Sequence, residues 1–471
     1  MHYNWLLMKT SPRVYASVII GLCVILLAAS TIFPAPSGLT GEGKRAIAVF
    51  VIAVVLWTTH ALPLSVTGLL IIALIPLLRI MRADQAFALF GNQAVFFILG
   101  AFIIATALMK SGLSRRMAIL LLSRFDRSPR LLILGILVTC MLMSFIIPEH
   151  AVAALMFPVI GSIAASLDLS PLDSNFGALM FIAMAWGAII GGVGTLLGGA
   201  RNPLALAILE EQFGTTIGFF EWMKAVCPLC FVLLAACYGV LLTSFTIDVH
   251  DVSSAGKRLR EELVRIGPIT HLEKRVLAIL ILTIGMWIFA SHTLGLAVIS
   301  LLSVAVLFIF ECLQWDDVHS YVNWGVILMY GGAVVAAKAL EHTGAMTWMV
   351  ERFLAFGPHT PLFTLILFAV AAKLLTEGVS NVACVAIILP VALSLCGRLG
   401  IDPPVMVYFV AVSSGLAFIL PISSPPNAIA YSSGYYEIGT ILKPGLLLNV
   451  LSLILFIILA ILYWPIIGLV I

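Results

Sequence analysis

Apolar runs of about 18 residues or more recur along this chain from end to end, each long enough to cross a hydrocarbon core of roughly 30 Å as a helix. In lipid, every backbone amide must find its partner inside the segment, so these runs are helices. Only 10% of the 471 residues are charged and 62% are hydrophobic, whereas a soluble protein carries about 25% charged residues. The chain therefore reads as an all-α polytopic membrane protein. The first run, Val14 to Phe33, follows Lys9 and Arg13 and has signal-peptide character. No small-residue cleavage site stands out and about ten further runs follow, so it is taken as a retained span.

A net charge of +3 is too small to argue for a nucleic-acid partner. The basic residues gather in two loops, 110–130 (Lys110, Arg115, Arg116, Arg124, Arg127, Arg130) and 247–275 (Lys257, Arg258, Arg260, Arg265, Lys274, Arg275). The positive-inside rule puts both in the cytoplasm. The second loop also carries Glu261, Glu262 and Glu273 and reads as an amphipathic linker between two halves. The eight cysteines are scattered through apolar segments, which argues against a disulfide framework. Cys227 and Cys230 stand in a CPLC spacing without a second ligand pair nearby, and small buried cysteines are the simpler account.

The two halves repeat each other. KRAIAVFVIAVVLW (44–57) matches KRVLAILILTIGMW (274–287); Gly112 answers Gly344, Pro158 answers Pro390, and Asn202 answers Asn427 in the same order. Spans are expected near 14–33, 44–60, 63–80, 94–110, 177–200 and 226–246, then near 273–290, 293–311, 322–340, 405–430 and 440–470. Segments 131–165 and 361–396 are too long and too interrupted for single crossings. As hairpins that enter and return on one side, they keep both basic loops cytoplasmic and make the repeat inverted. The expected architecture is about 11 transmembrane helices plus two re-entrant helical hairpins. It divides into residues 1–43, a first repeat 44–246, a cytoplasmic linker 247–272 and a second repeat 273–471. The N-terminus is then cytoplasmic and the C-terminus outside.

Four breaks interrupt these helices: PEH at 148–150, GGARN at 198–202, SNV at 380–382 and SSPPN at 423–427. Irregular backbone at membrane depth is tolerated where it lines a cavity or is buried in protein. Helix N-termini there offer amides to an anion, and carbonyl ends hold a cation. Such paired breaks point to a secondary transporter with its substrate near the midplane. A channel needs a sustained polar stripe, and a membrane enzyme needs a nucleophile or metal set; neither is visible.

Here a family resemblance becomes specific. TEGVSNVACVAIILPV (376–391) is similar to the second Ser-Asn-Thr hairpin of the divalent anion:sodium symporter (DASS) family, and LPISSPPNAIAYSSG (420–434) to that family's unwound helix. GALMFIAMAWGAIIGGVGTLLGGARNPLAL, WTTHALPLSVTGLLIIALIPLLRI and FILGAFIIATALMKSGLSRRMA resemble further parts of it, over nearly the whole chain. The resemblance implies a homodimeric elevator transporter for di- or tricarboxylates, or for sulfate, in the cell membrane. Substrate lies between the two hairpin tips, with sodium at two repeat-related sites. The expected binding residues are Glu149, His150, Arg201, Asn202, Ser380, Asn381, Val382, Ser424, Pro425, Pro426 and Asn427.

The sequence departs from the family in its first half. Pro148, Glu149 and His150 stand where the family has Ser-Asn-Thr, and Gly198 to Asn202 where it has Gly-Thr-Pro-Pro-Asn. The first sodium site is thus read as lost, with Arg201 as a fixed cation balanced by Glu149 and His150 contacting substrate or titrating. The alternative is a buried structural pair. The second site keeps Ser380, Asn381 and Ser423 as sodium ligands, although Val382 lacks the family hydroxyl. Coupling stays open between fewer sodium ions, protons through His150, and anion exchange. Lys373 and Glu377, at i and i+4, are expected to pair locally, and Lys338, Glu341 and His342 to reach the interface by snorkelling.

Overall fold

The computed structural model describes residues 12–355 and 360–470. Lys9 lies outside the described residues. Among the described residues all regular structure is helical. The chain opens with α1 (Pro12–Ile32), α2 (Gly41–Thr59), α3 (Leu64–Leu77), the short α4 (Ala83–Ala88) and α5 (Gln93–Lys110). Then come α6 (Leu113–Leu122), α7 (Pro129–Ser144), α8 (Glu149–Ser166), α9 (Asn175–Gly194), α10 (Arg201–Phe213) and α11 (Phe219–Ser244). A charged connector helix, α12 (Ser253–Ile266), follows.

The rest of the chain comprises α13 (His271–Leu294), α14 (Leu296–Ile309), α15 (Trp315–Tyr321), α16 (Trp324–His342), α17 (Ala345–Leu354) and α18 (Pro361–Gly378). It ends with α19 (Asn381–Ser394), α20 (Cys396–Leu399), α21 (Pro403–Gly415), α22 (Pro425–Tyr431) and α23 (Ile438–Leu462). Among the described residues nine segments are long and apolar enough to cross a membrane, and five shorter apolar helices accompany them. The protein is an all-helical polytopic membrane protein.

Local chemistry sets the ends of these helices. Thr40 accepts from Gly43 N at the start of α2, and Thr270 forms a reciprocal capping box with Glu273 at the start of α13. Gly112 and Gly344 each precede a short helix, α6 and α17, with φ of 83° and 72°, a left-handed backbone that favours glycine. Trp57 and Trp287 are fully buried, and each indole N–H donates to a residue at or near the start of the next helix, Leu64 O at 3.4 Å and Leu296 O at 3.3 Å.

The centre of the molecule is α9, buried along its whole length from Phe176 to Gly194. Small residues let its neighbours come close. A Cβ on Gly187 would lie 2.7 Å from Leu137 O, and one on Gly191 would lie 2.2 Å from Met141 O, so α7 packs directly onto the α9 backbone.

The connector α12 is amphipathic, burying Ala255, Gly256 and Leu259. Arg116 on α6 fixes the turn after it: Nε and Nη2 reach the Glu273 carboxylate at 2.7 and 3.0 Å, and Nη1 and Nη2 donate to Gly267 O and Pro268 O.

Three charged groups find partners that sequence spacing did not show. Lys338 bonds across to Glu211 on α10 at 3.3 Å, as well as to Glu341 at 3.3 Å. Lys373 and Glu377 do not pair with each other; each is drawn to a different stretch of unpaired backbone, described below. The reason is that a broken helix offers buried carbonyls and amides close by, and these outbid a solvent-facing i, i+4 contact.

Candidate functional site

The four sequence breaks meet. α7 and α8 are joined by residues 145–148, α9 and α10 by 195–200, α18 and α19 by Val379 and Ser380, and α21 and α22 by 416–424. Glu149 is the first residue of α8 and Arg201 the first of α10, so each side chain leaves a helix start and points to the same place. Arg201 Nη1 and Nη2 donate to Glu149 Oε1 and Oε2 at 2.8 and 3.1 Å, a bidentate pair. Arg201 is 1% exposed and Glu149 5%. The Glu149 backbone N–H donates to Gly198 O at 2.8 Å, which ties the tip of the first hairpin to the first break.

Asn381, at the start of α19, brings in the other half. Its amide nitrogen lies 2.8 Å from Ser423 O and 2.7 Å from Thr376 Oγ1, and its oxygen accepts from Arg201 Nη1 at 3.2 Å. One amide thus touches the first-half guanidinium, its own hairpin and the second break. Thr376 in turn donates to Ser414 O at 2.7 Å.

Glycines make room for the pair. A Cβ on Gly192 would lie 1.9 Å from Glu149 Oε2, one on Gly199 would lie 2.7 Å from Arg201 Cζ, and one on Gly415 would lie 2.2 Å from Arg201 Nε. Gly192, Gly415, Thr376 and Ser414 are site residues that the sequence reading passed over. The glycine run GAIIGGVG (187–194) was the available signal, since four glycines along one span mark close approach.

The remaining candidates divide. Asn202 is buried and donates to Gly192 O at 3.0 Å and Thr195 O at 2.7 Å, closing the first break on itself. Asn427 donates to Ala417 O at 3.0 Å and to Ser423 Oγ at 3.1 Å, closing the second. Ser380 caps α19 by accepting from Ala383 N at 3.3 Å. Ser423 donates to Leu420 O at 2.6 Å. Ser424 and Pro426 are buried, whereas Pro425 is exposed and Val382 packs among partly buried hydrophobics. His150 is half-buried, with its ring edge-on to Phe102 of α5 at 6.2 Å.

Several buried polar atoms here have no partner among the described residues: Arg201 Nε, Asn202 Oδ1, Asn427 Oδ1 and Ser424 Oγ. Buried polar groups are normally hydrogen-bonded, so this set marks where a polar ligand has most to offer. Cys227 and Cys230 are accounted for otherwise: their thiols donate to Gly194 O at 3.3 Å and Ile190 O at 3.2 Å, and Trp222 Nε1 donates to Val193 O at 2.9 Å. They serve the carbonyl end of α9.

The family profile described as the sodium:sulfate symporter transmembrane region matches residues 14–470. The chain belongs to the sodium:sulfate symporter family. It is a secondary transporter of that family, and not an enzyme. It is 26% identical to the sodium-dependent dicarboxylate transporter SdcS of Staphylococcus aureus strain bovine RF122 / ET3-1 over 480 aligned residues, covering 96% of this chain and 92% of that protein. The SdcS of strain USA300 matches to the same extent. Among solved structures, Neisseria gonorrhoeae MtrF superposes with a TM-score of 0.55 at 16% identity, covering 97% of this chain and 96% of that one. The Alcanivorax borkumensis YdaH transporter gives 0.53 at 15% identity, covering 98% and 99%. At such identities these two speak for the fold alone.

Proposed function

We propose that this symporter-family protein moves small divalent anions across the cell membrane, di- and tricarboxylates foremost, by an elevator motion of a homodimer. The observation that carries this reading is the meeting of both hairpin tips and both helix breaks at Glu149, Arg201 and Asn381. In the proposed arrangement, eleven spans and two re-entrant hairpins, α7–α8 and α18–α19, form an inverted repeat. The basic loops and the N-terminus face the cytoplasm, and the C-terminus lies outside.

In this reading the divisions 44–246 and 273–471 are the two repeats, joined by the linker 247–272. Substrate carboxylates or a sulfate contact Asn202, Ser380, Ser424, Asn427 and His150. The Arg201 guanidinium is a permanent charge and needs no ion from solution. It stands at the first cation site, and Glu149 keeps the buried sum neutral. The relative SdcS is described as sodium-dependent; here coupling shifts toward reduced sodium stoichiometry, protons through His150 or anion exchange. A second reading has a specific observation in its favour: both Arg201 Nη atoms are spent on Glu149, as in a purely structural pair.

The deciding experiment is uptake of labelled succinate or sulfate into liposomes carrying the purified protein, with and without a sodium gradient, for the wild type and Arg201→Ala. Saturable uptake lost in the variant is the expected result. Near-normal uptake by the variant leaves only the structural role, and a multi-sodium requirement in the wild type removes the fixed-charge reading.

A further inference from the structure

Outside the Glu149–Arg201 pair, the second half holds two charged side chains of its own, Lys373 buried and Glu377 half-buried. Lys373 on α18 is 6% exposed. Its ammonium donates to Leu416 O, the carbonyl just past the end of α21, and to Ser452 Oγ on α23 at 2.6 Å, and it lies 5.1 Å from the centre of the Phe418 ring. One turn further along α18, Glu377 takes the amides that follow this carbonyl in the same break. Its carboxylate accepts from Phe418 N at 2.9 Å, Ile419 N at 3.3 Å and Leu420 N at 3.0 Å, and from Asn449 Nδ2 at 2.5 Å.

The two charges grip chemically opposite ends. Leu416 O belongs to the carbonyl terminus of α21, where the aligned peptide dipoles are negative and a cation is favoured. The 418–420 amides form a concave set of donors that suits an anion. The corresponding end of α9 is served by the neutral donors Cys227, Cys230 and Trp222. Burying an ammonium in a membrane span costs about 2.5–3.5 kcal/mol on insertion scales. Neutral groups do the structural work in the first half, so structure alone does not call for that expense.

We infer that the Lys373 ammonium is a tethered monovalent cation, standing at the carbonyl end of the second break in place of a dissociable sodium ion. This rests on the transporter reading above and deepens it. With Arg201 in the first half and Lys373 in the second, each half carries its own cation, and anion exchange runs without sodium. Lys373 acts as a positioning residue: it holds the 416–424 backbone from which Ser423 and Ser424 project and which leads into α22 and Asn427.

The test uses purified protein in liposomes loaded with unlabelled succinate and bathed in labelled succinate, with N-methylglucamine as the sole cation. The wild type exchanges succinate in this medium, and Lys373→Ala slows it by about tenfold or more. Adding sodium or methylammonium restores the variant in a saturable way and leaves the wild-type rate unchanged, which a merely structural lysine does not predict. Lys373→Met, whose side chain fills the vacated space, stays slow with either cation.

A second readout needs no transport. In detergent, methylammonium raises the melting temperature of Lys373→Ala but not of the wild type or Lys373→Met. The inference is overturned if the wild type stops without sodium, if Lys373→Ala keeps its rate, or if neither cation restores or stabilises that variant. Should the wild type carry neither succinate nor sulfate, the transporter reading fails, and the melting shift still decides the role of Lys373.

Discussion

Asn202 and Asn427 make the same bond in the two halves. Each side-chain nitrogen donates to a carbonyl ten residues earlier, Gly192 O and Ala417 O, both at 3.0 Å. Each leaves its Oδ1 buried without a partner. The charged groups around them differ between halves, so what the halves share is a way of closing a broken helix, and the charges are laid over it. Replacing either asparagine by alanine strands buried acceptors and is expected to cost about 1–3 kcal/mol. Thermal unfolding in detergent measures this; a variant that melts like the wild type would show that its break closes without the amide.

The Glu149–Arg201 pair yields a non-additive prediction. Glu149→Ala and Arg201→Ala each leave one buried charge unmatched and are expected to cost about 3–5 kcal/mol. The double change Glu149→Ala with Arg201→Ala is expected to cost less than the two single losses added together. Chemical unfolding of the three variants closes the cycle, and simple additivity would mean that the two side chains do not interact.

Gly192→Ala puts a methyl group 1.9 Å from Glu149 Oε2, with Arg201 Nη2 3.1 Å away. The pair must separate or α9 must shift, so transport is expected to fall by about tenfold or more, with stability loss in the overpacking range of ~1–3 kcal/mol. Gly285→Ala on α13, which meets nothing within 4 Å, is the control and is expected to behave as wild type.

Cys227→Ser is expected to keep transport and stability, because a hydroxyl donates to Gly194 O as the thiol does. Cys227→Val removes the donor and is expected to cost about 1–3 kcal/mol. Parallel uptake and melting assays test this, and sensitivity of the wild type to reductant would instead point to a redox role for the CPLC pair.

Arg116→Ala frees the turn between α12 and α13 from α6, since one guanidinium holds Gly267 O, Pro268 O and Glu273 together. Limited proteolysis is expected to cut the linker near 267–270 several times faster in the variant. An unchanged cleavage rate would place the restraint elsewhere.

Much of the fold was legible because lipid makes a local demand. A segment exposed to acyl chains must be apolar, helical and about as long as the hydrocarbon is thick, and each condition can be read within one run of residues. The interruptions were legible for the same reason: PEH, GGARN, SNV and SSPPN are wrong for lipid wherever they occur. α10 (Arg201–Phe213) was not separated from its neighbours, because its EEQF end looks like a loop until Glu211 is seen to meet Lys338.

Which residues meet was a different matter. Sequence spacing put Lys373 beside Glu377, yet the fold sends one to the carbonyl end of a break and the other to its amides. It also sets Asn381 against Arg201 from the other half of the chain, and clears space for both with Gly192, Gly199 and Gly415. Hydrogen bonds and buried ion pairs act over about 3 Å, so their partners are chosen by how the helices pack, whereas hydrophobicity acts along each segment by itself. Residue order alone determined that this chain lives in a membrane and where its helices break. Only the packed structure decided that the breaks share one centre and which charges face each other there.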